Sequence, residues 1–190
     1  ADLTSILCMG SMQPDETVAC PIFAMTMQIE DHDERPEAWE VTLHDSDENG
    51  DPTRLLADAR VFRAHFEDAW FDLFDSVSSD LSEVAGAFMD RDRVAEVHEE
   101  ALWANALVVV DYIEVPEVAR GKKWSHRLIH SLARVFEGDA IALLPSEVTP
   151  GANDELIHDP AKRRALVKHW GEMGFVTIPG TNVMVLQWSS

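Results

Sequence analysis

Three cations and a glycine fall together in four residues, Arg120, Gly121, Lys122 and Lys123. Trp124 and Ser125 follow, and apolar residues then recur at Leu128, Ile129, Leu132, Val135 and Phe136. That recurrence has helical spacing. The stretch before the cations, Leu107 to Val115, is β-branched and apolar, which reads as a buried strand that Pro116 ends. Strand, short basic loop and helix start together suit anion binding. The first N–H groups of a helix lack intrahelical partners, and the helix dipole adds positive potential there. Ser125 adds a hydroxyl donor. An ordinary basic turn that balances an acidic protein would use the same residues. The six tryptophans, Trp39, Trp70, Trp103, Trp124, Trp170 and Trp188, read mostly as core anchors, with Trp124 the exception inside the loop.

Two further constellations carry less chemistry. His126 and His130 are four apart, the spacing of a metal-binding pair, but no Glu or Cys completes the set and no metal is expected. Asp45, Asp47, Asn49 and Gly50 match the opening of a calcium-binding loop. Leu56 stands where the closing bidentate glutamate should be, so a polar hairpin loop is the better reading.

The elements that must position these groups follow from periodicity. Apolar and polar residues alternate over Ile22 to Glu30, Trp39 to His44 and Leu55 to Phe66, giving three strands in succession. Trp70, Phe71, Phe74, Val77, Leu81, Val84, Ala85 and Phe88 recur at helical spacing over Ala69 to Met89. A break at Asp75-Ser76 and a cap at Ser79 or Asp80 would divide that segment into two helices. Arg93 to Ala104 reads as another short helix. After the basic loop and its helix, a short buried strand spans Ile141 to Leu144, and Pro145 to Asp159 reads as a long loop. Asp159 caps a helix that starts at Pro160 and runs to about Met173, ended by Gly174. Val176–Ile178 and Val183–Leu186 form a closing hairpin.

Composition sets the bounds. Apolar residues make up 46% of the 190, which fits one globular domain over 1–190, with 1–20 as a mobile arm. Fifteen Lys and Arg against 35 Asp and Glu give a net charge of −20. Such a field disfavours nucleic acid and anionic membranes and favours a cationic partner such as an amine; solubility alone would also explain it. Cys8 and Cys20 do not make a disulfide scaffold, no apolar run reaches membrane-spanning length, and no signal peptide is visible. A cytoplasmic protein is expected.

The strand–loop–helix segment resembles the acetyl-CoA-binding segment of the GNAT superfamily of N-acetyltransferases, whose motif is Arg/Gln-x-x-Gly-x-Gly/Ala. The frame falls here on Arg120, Lys123 and Ser125, with Lys and Ser in place of the two later glycines. A lysine at 123 requires a negative φ there. Val167 to Phe175 also resembles the family's closing helix, with Gly174-Phe175 as its end. The likeness runs from about Leu107 to the C-terminus.

The resemblance implies an α/β fold, with a GNAT-like central mixed sheet of about six to seven strands flanked by helices. It implies acetyl-CoA as cosubstrate, with its pyrophosphate on Arg120, Gly121, Lys122, Lys123, Trp124 and Ser125. The pantetheine arm would lie along the main chain at Ile113 and Val115. It implies a catalytic base on the strand, Asp111. Glu147 could serve through a water, and His169 could act as the acid, because Trp170 stands where many members carry a tyrosine. Tyr112 has the opposite strand parity to Ile113. The expected function is acetyl transfer to a small-molecule or protein amine, and a homodimer is compatible with it. The alternative is a catalytically inactive module that binds coenzyme A or a protein partner. Three strands ahead of the first helices is a departure from the family order, so contacts made by its early helices do not carry over.

Overall fold

Ile22, Phe23 and Met25 sit in the first of three strands that pair in succession as the alternation requires. These are β1 (Ile22–Gln28), β2 (Glu37–Ser46) and β3 (Pro52–His65), all antiparallel. The computed structural model describes residues 21–28, 35–66, 69–146, 148–150 and 156–187. The expected arm at 1–20, both cysteines and Glu147 lie outside them.

Cross-strand register puts Met25 opposite Val41 and Val41 opposite Ala59. One face of the three strands therefore buries Phe23, Met25, Val41, Leu43, Ala57, Ala59 and Val61. The other carries Thr26, Gln28, Glu40, Thr42, Asp58 and Arg60, with Glu40 directly opposite Arg60. The β2–β3 turn is the polar hairpin loop. Asp47 Oδ1 accepts the N–H groups of Asn49 and Asp51, each at 2.9 Å, and Gly50 supplies φ +84°. Those bonds, the one from Asp51 foremost, lower the Asp47 pKa. Asp45 is held by Arg54 at 2.8 Å.

The helices follow the third strand, as the sequence order suggests. They are α1 (Trp70–Asp75), α2 (Ser79–Met89) and α3 (Arg91–His98), with a 3₁₀ turn over Glu99–Trp103. Ser78, not Ser79 or Asp80, caps α2: its side chain accepts the Leu81 N–H at 3.2 Å. Only Ser78 has the extended backbone (φ −161°) that a cap needs; Ser79 is already inside the helix.

Next come β4 (Ala106–Glu114), a 3₁₀ turn at Glu117–Ala119, α4 (Trp124–Val135) and β5 (Ala140–Leu143). The region expected as one long loop holds β6 (Val148–Pro150) and β7 (Leu156–His158), paired antiparallel. Three-residue strands are too short to show a period, which is why the sequence conceals them. Asp159 caps α5 (Pro160–Gly171) by accepting the Ala161 N–H at 2.9 Å. The helix ends two residues before the expected Met173. Gly174 then turns the chain at φ +102°, where an added Cβ would lie 3.2 Å from the Gln187 carbonyl. β8 (Phe175–Thr177) and β9 (Met184–Leu186) close the chain as the expected antiparallel hairpin.

Seven strands in the order β1-β2-β3-β4-β5-β9-β8 make a mixed sheet, the α/β class expected. The chain divides into two compact units, one within 1–63 and 110–137, the other within 64–109 and 138–190. In the first, α4 packs Leu128, Ile129 and Leu132 inward and lies against β2, with the Phe136 ring edge-on to Trp39 at 5.8 Å. In the second, Phe66, Trp70 and Phe88 cluster at 5.1 and 6.3 Å, and Trp170 meets Phe175 at 5.8 Å. Among the described residues, no helix is long and apolar enough to cross a membrane.

Candidate functional site

The first unit carries the end of β4, the basic loop and α4. β4 delivers Asp111, Tyr112, Ile113 and Glu114; the chain leaves it at Val115-Pro116 and makes the 3₁₀ turn. The Arg120 Nε donates to the Val115 carbonyl at 3.2 Å, folding the loop back on the strand end. Gly121 then takes φ +84° and Lys123 φ +56°. The negative φ expected at Lys123 is therefore not what the backbone adopts. A chain entering α4 this tightly needs a left-handed residue just ahead of the first turn, and the lysine occupies that conformation.

That left-handed residue is the N-cap of α4, and its side chain accepts no bond from the helix. The first turn holds no acidic residue either, although acids outnumber bases by more than two to one in the chain. An acid there would neutralise the dipole and occupy the N–H groups. Instead Arg120, Lys122 and Lys123 are all exposed beside it. Trp124 opens the helix with its indole Nε1 buried and lacking a hydrogen-bond partner, and the Arg127 guanidinium lies over its ring at 4.8 Å. A buried donor without an acceptor is uncommon in folded proteins and is satisfied when an oxygen-bearing ligand approaches. Ser125 and His126 are buried. A left-handed entry, an uncapped helix start, an orphan donor and three cations together fit an anionic group such as a pyrophosphate.

The strand candidates are placed differently from one another. The Asp111 carboxylate is 14% exposed, and its Oδ2 takes both Nε and Nη2 of Arg60, at 2.9 and 2.6 Å. Its Oδ1 accepts no hydrogen bond among the described residues. Ile113 and Val115 are partly buried at the strand's end. His169 lies in the second unit on α5, edge-on to Trp170 at 4.8 Å, with Trp170 buried. Among the described residues, no group of three or more His, Cys, Asp or Glu could hold a metal ion.

Four residues of the open sheet face escaped the sequence reading. Arg60 holds Asp111, and Glu114 accepts the Tyr112 hydroxyl. That bond, with burial and the charges of Asp58, Glu114 and Glu40, pushes the tyrosine pKa up to about 12. Burial, then the charges of Glu114 and Glu40, raises the Asp58 pKa. The even-numbered parity of Glu40, Asp58 and Arg60 was a usable signal for this face. The Arg60–Asp111 partnership, 51 residues apart, had none.

No protein-family model matches the chain, and no curated protein sequence matches it. Among solved structures it is similar to arylalkylamine N-acetyltransferase 2 from Aedes aegypti. The identity is 10%, the match covers 76% of this chain and 70% of that one, and the TM-score is 0.36.

Proposed function

We propose that this chain is an acetyl-CoA-dependent N-acetyltransferase acting on a cationic amine. The observation that carries the reading is the start of α4, a cationic and uncapped helix N-terminus reached through a left-handed Lys123. The backbone N–H groups from Lys123 to Ser125 would take the pyrophosphate, with Arg120, Gly121 and Lys122 around it and the Trp124 Nε1 as a further donor. The strand end at Ile113 and Val115 would pair with the pantetheine amides. Bound acetyl-CoA supplies an activated thioester.

The remaining chemistry falls to the side chains. An ammonium acceptor must lose a proton before it can attack, and the open face with Glu40, Asp58 and Glu114 suits such a cation. The Asp111 Oδ1 is the acceptor for that proton, with Arg60 fixing the carboxylate. Glu147 is the second candidate.

The Arg60 clamp favours a second reading, a module that binds coenzyme A or a protein partner without turnover. A carboxylate oxygen that already accepts two guanidinium N–H groups is engaged in a structural pair. The same reading draws on Trp170, whose indole N–H is too weak an acid to donate a catalytic proton where a tyrosine would serve. Calorimetric titration of acetyl-CoA into the wild type and Arg120→Ala/Lys122→Ala tests the site, and an amine panel then separates the two readings. Micromolar binding, lost in the variant, is expected for the first reading and for the coenzyme-A form of the second, and turnover for the first alone. No binding by folded wild type overturns the acetyltransferase reading and leaves the protein-binding form of the second.

A further inference from the structure

From Val118 to Phe136 the chain has 19 residues without one Asp or Glu, bracketed by Glu117 and Glu137. At the chain's average acidity that length would hold 19 × 35/190 = 3.5 acids. It holds five Lys and Arg and two His instead. The loop cations account for the start of α4 only. Arg127 and Arg134 continue the charge down the helix with His130 between them, all three exposed, on the side away from the buried Leu128, Ile129 and Leu132. Arg134 stands ten residues beyond Trp124, roughly 15 Å along the axis and out of reach of a group seated at the first turn.

This stripe is built against local preference. Lys123 with Arg127, Arg127 with His130, and His130 with Arg134 are like-type neighbours at helix spacings of three and four, where an acid would be stabilising. Elsewhere the chain does pair its arginines: Arg54 with Asp45, Arg60 with Asp111, Arg63 with Glu37 and Arg93 with Asp90. Among the described residues, Arg127 and Arg134 have no carboxylate partner; Arg127 has the Trp124 ring.

We infer that the outer face of α4 is a docking surface for an acidic polypeptide segment. An extended segment with acids at alternate positions sets carboxylates about 6.6 Å apart, close to the helical rise between successive stripe residues, about 4.5 and 6 Å. A short segment confined to the stripe also escapes the rest of the acidic surface, because charge–charge repulsion at physiological salt decays over about 8 Å. A long polynucleotide would run across that surface and be repelled. The inference stands apart from the acetyl-transfer reading, since the docking residues Arg127, His130 and Arg134 lie beyond the loop.

The test is fluorescence anisotropy at physiological ionic strength with fluorescein-labelled hexaglutamate and a labelled oligothymidine of equal charge. The proteins are the full chain and His130→Glu/Arg134→Glu, each checked for folding by its thermal transition. The wild type is expected to bind hexaglutamate more tightly than oligothymidine, and the variant at least about tenfold more weakly while melting normally. Absence of binding, unchanged affinity in a folded variant, or tighter binding of the oligonucleotide overturns the proposal. If the variant does not fold, Arg134→Gln alone is read the same way, with a smaller weakening expected. The acetyl-CoA titration is run separately, so either result can fail without the other.

Discussion

Arg60 on β3 places both Nε and Nη2 on one carboxylate oxygen of Asp111 on β4, at 2.9 and 2.6 Å. The two ends are unequal. The arginine side chain is 52% exposed and the aspartate 14%. Removing the arginine leaves a largely buried carboxylate without its donor. Removing the aspartate leaves a guanidinium that water can still reach. Arg60→Gln is therefore expected to lower the unfolding free energy by roughly 1–2 kcal/mol, and Asp111→Asn by less than half of that. Urea unfolding of both single variants and the double variant measures this. Equal single effects that simply add would show that the pair is not coupled.

Gly121 and Lys123 share positive φ but differ in what that conformation costs. An L-residue with a Cβ in the left-handed region is disfavoured by roughly 1–2 kcal/mol, part of which a glycine gives back through its freer unfolded chain. Lys123→Gly is expected to raise stability by roughly 0.5–1 kcal/mol. Gly121→Ala should lower it by about 1 kcal/mol. No atom lies within 4 Å of the added Cβ, so that loss is conformational rather than steric. Opposite signs in a chemical unfolding series are the expected outcome; equal signs would mean that one of the two turns relaxes.

The contrast between the two positions marks how far the sequence could be read. Asp159-Pro160 announced a helix start because a cap bond and a proline at the first turn are local, and the Ala161 N–H is there to be accepted. The strands β1 to β3 and the helix α4 were visible for the same reason: their periods run over enough residues to be counted. β6 and β7 have three residues each and no countable period. The left-handed φ of Lys123 was hidden because residue type argued against it, and only the entry into α4 demands it. Asp111 could be nominated from its strand, but Arg60 reaches it from a different strand. Side-chain partnership across a sheet depends on register and on strand order, neither of which spacing in one sequence contains.

Asp58 gives a pH-dependent prediction. Burial and the charges of Glu114 and Glu40 raise its pKa above the ordinary 3.8. A carboxyl group whose folded-state pKa is raised opposes folding once it is ionised in both states. That penalty is complete above the raised value and disappears as pH falls below 3.8, where both states are protonated. Asp58→Asn is therefore expected to raise the melting temperature near neutral pH, with the gain shrinking to nothing in acid. Thermal scans of wild type and variant across that range check it. A gain that is constant with pH would assign the effect to something other than the charge.

Tyr112 is the chain's one tyrosine, so its ionisation can be followed in the near-ultraviolet without interference. Its hydroxyl donates to Glu114, and this bond foremost holds the pKa at about 12 against an ordinary 10.0. The folded state therefore keeps the proton where the unfolded state has lost it. The stability this provides is whole below pH 10.0 and is lost as pH rises through about 12. Glu114→Gln removes both the ionised acceptor and one neighbouring charge, so the phenolate midpoint should fall toward 10.0. It should not reach it, because burial and the charges of Asp58 and Glu40 remain. Spectrophotometric titration of the two proteins measures the difference. A wild-type midpoint near 10.0 would mean that the Tyr112–Glu114 bond does not persist in solution, and a midpoint unmoved by Glu114→Gln would assign the shift to the other carboxylates of the open face.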